Sequence, residues 1–387
     1  MRFLIVFIVL GFVSACQRSE NVSVTFSSGS TYSGELLDKK KNNYGVFIWS
    51  NGARYEGNWK DDLQHGRGIY IDGFGAKYEG EWLGGKFHGQ GVYTWSSGSQ
   101  YKGSFIAGKE SGEGVFHGAT GDKYEGAWDE GKKHGSGVKT WEDGKVYKGE
   151  FKRNKLDGIG EISWPDGHHY KGQFKDNIAE GKGRYTWPDE TYYDGKFEKG
   201  NKQGQGSQVW NDGRAYDGGF VNDLRSGEGL MKWPDGRIYQ GDFNNDSITG
   251  EGKMQWLNEE HYTGAFVEGM ASGKGRYVWL DGSVYYGMFK EGQRQGQGKY
   301  EYSDGRVYEG AFVADKKEGR GRYTWPDGER YEGTFSKDMK SGKGIFYWSD
   351  GSYYVGKFKK DKLNGKGLCY LGKDAEPCVF KQGVRVD

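Results

Sequence analysis

A tyrosine recurs every 23 residues from Tyr32 to Tyr354, through fifteen copies, without one insertion or deletion. A strict period of this length marks stacked repeats, in which each unit buries its apolar face only against its neighbours. The columns of the repeat carry the physics. With the tyrosine as position 0, glycine fills +2 and +13 in every copy and +11 in all but one, which has Asn43. Phe or Trp fills +4 except at Leu36, and Trp fills +17 in eleven copies, the others holding Asp72, Gly118, Tyr302 and Leu371. Positions 0, +2 and +4 share one parity and +11, +13, +15 and +17 another, which places each set on one face of a strand. Each repeat therefore reads as two short strands joined by a loop of about six residues. An Asp-Gly turn that needs a positive φ then leads to the next repeat.

Composition agrees once it is read by position. Forty-four of the 70 glycines sit in the three glycine columns, and aromatic residues make up 16% of the chain, which a flexible linker does not carry. Glycine inside a strand signals that something large lies across it, here the rings two residues away. With 55 basic and 54 acidic residues the net charge is +1, so bulk charge does not point to nucleic acid. Basic residues line up at +14 (Arg184, Lys253, Arg276, Lys299, Arg322), either as part of a solvated, acid-balanced face or as a stripe for anionic lipid or polysaccharide.

The motif Tyr-Glu-Gly-x-Phe/Trp, then His-Gly-x-Gly-x-Tyr-x-Trp-Pro-Asp-Gly, seen almost whole from Gly319 to Phe335, resembles the MORN repeat over roughly residues 22–371. The resemblance implies one hairpin per repeat and no catalytic activity. The expected fold is all-β: an elongated, single-layer antiparallel β-meander of about fifteen stacked 23-residue hairpins, a solenoid-like twisted trough. At two strands per repeat it advances roughly 9.6 Å per copy. Some relatives append a kinase or methyltransferase domain, and the sequence shows no stretch for one.

The first residues read differently. Met1-Arg2, an apolar run from Phe3 to Val13 and then Ser14-Ala15-Cys16 resemble a bacterial lipoprotein signal, with the lipid on Cys16; an ordinary signal peptide is the plainer alternative. The run is shorter than the roughly 20 residues of a spanning helix. Gln17 after the cysteine resembles outer-membrane sorting. The expected organisation is thus a signal peptide at 1–15, a lipidated cysteine and linker at 16–21, the repeat array at 22–371 and a C-terminal cap at 372–387. Val22, Val24 and Phe26 keep the phase of a half-repeat, an N-terminal cap. In an exported chain Cys369 and Cys378 read as a disulfide across the cap; two reduced thiols are the alternative.

No cofactor or metal is expected. His65, His88 and His134 share phase +10 but stand about 10 Å apart by strand spacing, too far to share an ion. The glycine pairs open no helix, and no nucleophile or phosphate-loop motif occurs. The chain is therefore expected to be a non-enzymatic, membrane-anchored binding scaffold of a Gram-negative envelope. Its partner surface is expected along the aromatic columns, at Tyr285, Phe289, Tyr300, Tyr308, Phe312, Tyr323, Trp325, Tyr331, Phe335 and Trp348. A protein partner or a second copy, a glycan or anionic lipid would fit, and a structural spacer is the competing reading. The irregular repeats that begin at Tyr55, Tyr101, Tyr193 and, after Glu259-Glu260, Tyr262 stand as tolerated drift.

Overall fold

The computed structural model describes residues 18–387; Cys16 and the expected signal peptide lie outside the described residues. Among the described residues there are 34 strands and no helix, and every strand pair is antiparallel. By its internal contacts the chain divides into one unit up to Ala179 and a second from Glu180. Within each, seven-residue tyrosine strands alternate with nine-residue glycine strands, as in Val307–Val313 followed by Lys316–Thr324.

The hairpin loop is tighter than the expected six residues. Only Ala314 and Asp315 separate those two strands, both at positive φ (45° and 67°), and Asn222-Asp223 and Lys337-Asp338 do the same. Two consecutive left-handed residues make the mirror-image turn that suits the twist of paired strands. The aspartate does a second job: Asp315 accepts from the backbone N–H of Arg294 at 2.9 Å, one hairpin earlier, as Asp338 does from Lys317.

The remaining length goes into a bulge. Gly310 pairs with Gly321 but Phe312 pairs with Lys317, so three residues, Glu318, Gly319 and Arg320, stand opposite the single Ala311. Gly319 inside the bulge sits at φ 71°, and the one non-glycine in this column, Asn43, at 57°, a conformation Asn tolerates. The tyrosine hydroxyl compensates: Tyr308 donates to the carbonyl of Ala311 at 2.9 Å, Tyr285 to Met288 at 3.1 Å and Tyr55 to Asn58 at 2.7 Å. This is why the column holds Tyr and never Phe.

The glycine pairs run on from hairpin to hairpin. In the second unit Gly287, Gly298, Gly310, Gly321, Gly333, Gly344 and Gly356 oppose one another in an unbroken file. Within each unit the tyrosine rings lie on the glycine pairs of their own hairpins. A Cβ added at Gly321 would stand 2.5 Å from Cε2 of Tyr308, which no side chain tolerates. Sunk this far, the tyrosines meet the +4 rings edge to face. Tyr308 touches Phe312 at 5.1 Å and Phe335 of the next hairpin at 5.0 Å, and Tyr285 touches Phe289 and Phe312 likewise, forming a zipper of rings. Tyr308 and Tyr285 are 0% exposed. A single layer has no opposing layer, so this zipper is the core.

The array begins earlier than the sequence indicates. Ser19–Thr25 is already a strand, with Val22 opposite Gly34, so the expected linker at 16–21 overlaps the first strand. At the other end Asp374–Lys381 pairs with Gly365–Leu371, Pro377 sits opposite Leu368, and Cys369 is joined to Cys378 across a Cα separation of 5.9 Å.

Candidate binding surface

The expected partner surface has to be redrawn. Tyr285, Phe289, Tyr308, Phe312, Tyr331 and Phe335 belong to the buried zipper, and Tyr323 is only 7% exposed. Their ring area is spent on neighbouring hairpins and on the glycine file, so they offer a partner nothing. Tyr300, Trp325 and Trp348 remain half-exposed.

These three belong to a longer structure made by the +15 and +17 columns of the second unit. From Trp256 the rings run to Tyr277 (5.5 Å), Trp279 (4.5 Å), Tyr300 (5.0 Å) and Tyr302 (4.4 Å). They continue to Tyr323 (5.9 Å), Trp325 (4.5 Å), Phe346 (5.7 Å) and Trp348 (5.3 Å). In this ladder the +15 rings tend to be the deeper, with Tyr323 and Phe346 buried, while every +17 ring keeps part of its surface open.

Hydrogen bonding separates the two tryptophan columns. At +4 the indole N–H groups of Trp59, Trp82 and Trp128 donate to the carbonyls of Gly45, Gly68 and Gly114 (3.1–3.3 Å). Those of Trp279, Trp325 and Trp348, at +17, have no acceptor among the described residues and are not sealed from solvent. They are donors facing outward beside exposed π surface, the combination found where an amphipathic ring meets a ligand.

Cations flank the ladder on the side of the zipper. Position +9 faces the rings because of the bulge, and it holds Arg294, Lys317 and Lys340 here. The guanidinium of Arg294 lies 5.2 Å from the Tyr300 ring, and Lys317 Nζ lies 5.0 Å from the Tyr323 ring and donates to the Tyr302 hydroxyl at 3.2 Å. Burial holds the Lys340 ammonium below its ordinary pKa range. These cations cap the zipper, each contact worth about 0.5–2 kcal/mol. The column was legible in the sequence, since seven repeats carry Lys or Arg at +9, but only the bulge turns it toward the rings.

On the turn side the ladder is bordered by carboxylates. Asp281, Asp304, Asp327 and Asp350, two residues beyond each +17 ring, are exposed, and each fixes its turn by accepting a backbone N–H, as Asp327 does from Glu329 at 3.0 Å. Only Asp304 also holds a cation, Arg306, at 2.7 Å.

The first unit lacks a comparable ladder. Phe26, Phe47, Trp49 and Tyr70 form one run, ended by Asp72, and Tyr93, Trp95 and Phe116 form another, ended by Gly118. Two of the irregular repeats are thus the interruptions of the ladder. On the opposite face the +14 cations mostly find acids: Arg184 meets Asp194 at 2.7 Å, Lys299 meets Glu301 at 2.6 Å and Arg322 meets Glu332 at 2.9 Å. Among the described residues no cluster of His, Cys, Asp and Glu has the geometry of a metal site, and no helix is long and apolar enough to cross a membrane.

No curated protein matches the chain. Two solved structures that resemble it are the TCP domain of Drosophila melanogaster SAS-4, bound to a proline-rich motif of Ana2, and the TCP10 domain of Danio rerio CPAP. The first is 11% identical and covers 40% of this chain and 85% of that one at a TM-score of 0.27. The second is 16% identical and covers 61% and 95% at 0.24. Likenesses this remote bear no weight for function. The repeats themselves are decisive, because the MORN repeat matches fifteen times in tandem, from residues 32–54 to 354–373. The chain belongs to the MORN-repeat family, whose members serve as repeat-based binding scaffolds.

Proposed function

We propose that this protein is a non-enzymatic scaffold of a bacterial envelope, held at a membrane through a lipid on Cys16, and that it captures a partner on the ring ladder of its second unit. One observation carries the reading: Trp279, Trp325 and Trp348 keep open faces and unpaired indole N–H groups, whereas the +4 tryptophans are fully engaged by the fold. Tyr300, Trp325 and Trp348 stay in the proposed surface, and Trp279 and Tyr302 join it. A protein segment is the favoured partner; a second copy, a glycan or an anionic lipid surface would use the same exposed rings. The reading needs no cofactor and no nucleic acid.

The uninterrupted 23-residue spacing favours a second reading, a spacer whose length is its function. Deleting Tyr239 to His261 removes one hairpin and keeps the phase, shortening the array by roughly 9.6 Å. Trp279→Ala with Trp325→Ala removes two ladder rings and keeps the length. Pull-down of cell-envelope proteins with each variant separates the readings. Capture lost on the ring change and kept on the deletion supports the scaffold; the reverse pattern refutes it.

A further inference from the structure

The ladder's spacing and borders narrow the partner. Its half-exposed +17 rings, Trp279, Tyr302, Trp325 and Trp348, recur once per hairpin, every two strands, or about 9.6 Å. The ring contacts agree: Trp279 reaches Tyr302 through Tyr300 in two steps of 5.0 and 4.4 Å. An extended strand repeats its faces every two residues and an α-helix every 3.6, so neither returns a side chain at this interval. A polyproline II helix does. It has three residues per turn and rises about 3.1 Å per residue, so each face recurs at about 9.3 Å, and over three ring intervals the mismatch grows only to about 1 Å. Its backbone makes no internal hydrogen bonds, leaving carbonyls for outward donors, and the indole N–H groups of Trp279, Trp325 and Trp348 are such donors.

Charge selects among proline-rich sequences. The exposed border carries Asp281, Asp304, Asp327 and Asp350 against a single neutralising Arg306, so it is acidic along the whole file. The facing cations are turned inward over the rings: Arg294 is neutralised by Asp315 at 3.0 Å, Lys317 lies over Tyr323 and donates to the Tyr302 hydroxyl, and Lys340 lies 4.9 Å from the Trp325 ring. Beyond Trp348 the ladder opens into a cavity of about 670 Å³ in the same unit, lined by Trp348, Asp350, Tyr370, Asp374 and Glu376. The one basic residue in its lining, Arg385, is already held by Glu376 at 2.7 Å and Asp387 at 3.0 Å. A file of ring slots beside a row of carboxylates, ending in an acidic cavity, is complementary to a rigid apolar ligand with a positive end.

We infer that the ring ladder of the second unit binds a basic proline-rich segment in the polyproline II conformation, its prolines packed between successive +17 rings and its Arg or Lys directed to the turn-edge aspartates and the cavity beside Trp348. This inference rests on the scaffold reading and names the chemistry of its partner.

The test is calorimetric titration of the full-length protein with a synthetic peptide of about twelve residues, four polyproline II turns, with proline at two of every three positions and arginine at one end. Three comparisons use a peptide of the same length and arginine end with proline only at every fourth residue, the first peptide with glutamate in place of arginine, and a β-1,4-linked N-acetylglucosamine oligomer. The inference expects binding of the first peptide only. Trp325→Ala should weaken it about thirtyfold, the loss of one anchor ring. The column already accommodates Asp72, Gly118 and Leu371, so this change leaves the fold intact. Neutralising Asp281, Asp327 and Asp350 to Asn should weaken it roughly tenfold at low salt while sparing the rings. Asn fills the same position at residue 51, where it accepts the N–H of Ala53 at 3.1 Å, so the turn survives. Equal binding of the two spacings, or of the acidic and basic peptides, overturns the inference. So does peptide binding that survives Trp325→Ala. Binding of the sugar oligomer alone overturns it but leaves the scaffold reading standing, whereas envelope pull-down unaffected by Trp279→Ala with Trp325→Ala defeats the scaffold reading itself.

Discussion

Gly321→Ala is the sharpest probe of how these hairpins hold together. The new methyl would stand 2.5 Å from Cε2, 2.7 Å from Oη and 2.8 Å from Cζ of Tyr308. The ring cannot swing away, because Phe312 and Phe335 meet it edge to face at 5.1 and 5.0 Å. Overpacking of this kind costs about 1–3 kcal/mol. Lifting the ring also removes its hydroxyl from the carbonyl of Ala311, worth about 1–3 kcal/mol more because that group is screened from water. Tyr308→Phe isolates the second contribution, and Tyr308→Ser with Gly321→Ala removes the clash. The double variant should therefore be more stable than the two single costs predict, by about 2 kcal/mol of coupling. Long repeat arrays do not unfold in two states, so the assay is native-state hydrogen exchange, with the hairpin at 124–146 as internal control. Exchange around Gly310 and Gly321 should accelerate by roughly thirtyfold or more for about 2 kcal/mol. If Gly321→Ala exchanges like the parent, the ring does not lie on the glycine pair and the account of the core is wrong.

Other expectations follow from particular residues. Glu190 and Glu259 occupy turn positions at φ 68° that glycine fills elsewhere in the array; Glu190→Gly and Glu259→Gly should each raise local stability by about 0.5–1 kcal/mol, read by exchange in the flanking strands. Burial pushes the phenols of Tyr147, Tyr193 and Tyr285 up to about 12, whereas the unfolded chain ionises near 10. Their contribution to stability is therefore whole below pH 10 and lost as pH rises through 12, so circular dichroism should show cooperative alkaline unfolding in that window; a fold indifferent to pH 12 would contradict it. Cys16→Ser should abolish incorporation of labelled palmitate and release the protein from membranes while its circular dichroism is unchanged; a variant that stays labelled and bound would end the lipoprotein reading.

The period alone made most of the fold legible, because one slip in register exchanges the two faces of a strand and the columns never slip. What the columns did not reveal was depth. Tyr308 and Trp325 are both aromatic, both on one face and both periodic, yet one is sealed and the other half open. The difference is made by the bulge, a three-dimensional offset that lays the tyrosine on glycine and leaves the tryptophan at the turn. The same offset hid the cations at +9, whose parity in the sequence is ambiguous. The two-residue loop was readable, since pairs such as Asn222-Asp223 and Asn245-Asp246 signal mirror-image turns. The Gly-x-Gly motif drew the start of the second strand too late.

One aromatic face holds two kinds of ring, the buried zipper that makes the fold and the half-open ladder proposed to meet the partner. Hydroxyl-radical footprinting of the full-length protein, alone and with the basic proline-rich peptide, tests it in one experiment. Trp279, Trp325 and Trp348 should oxidise readily in the free protein and become protected with the peptide. Tyr285, Tyr308, Phe312 and Phe335 should stay slow in both states. Equal labelling of the two sets in the free protein, or protection that falls outside the ladder, would contradict it.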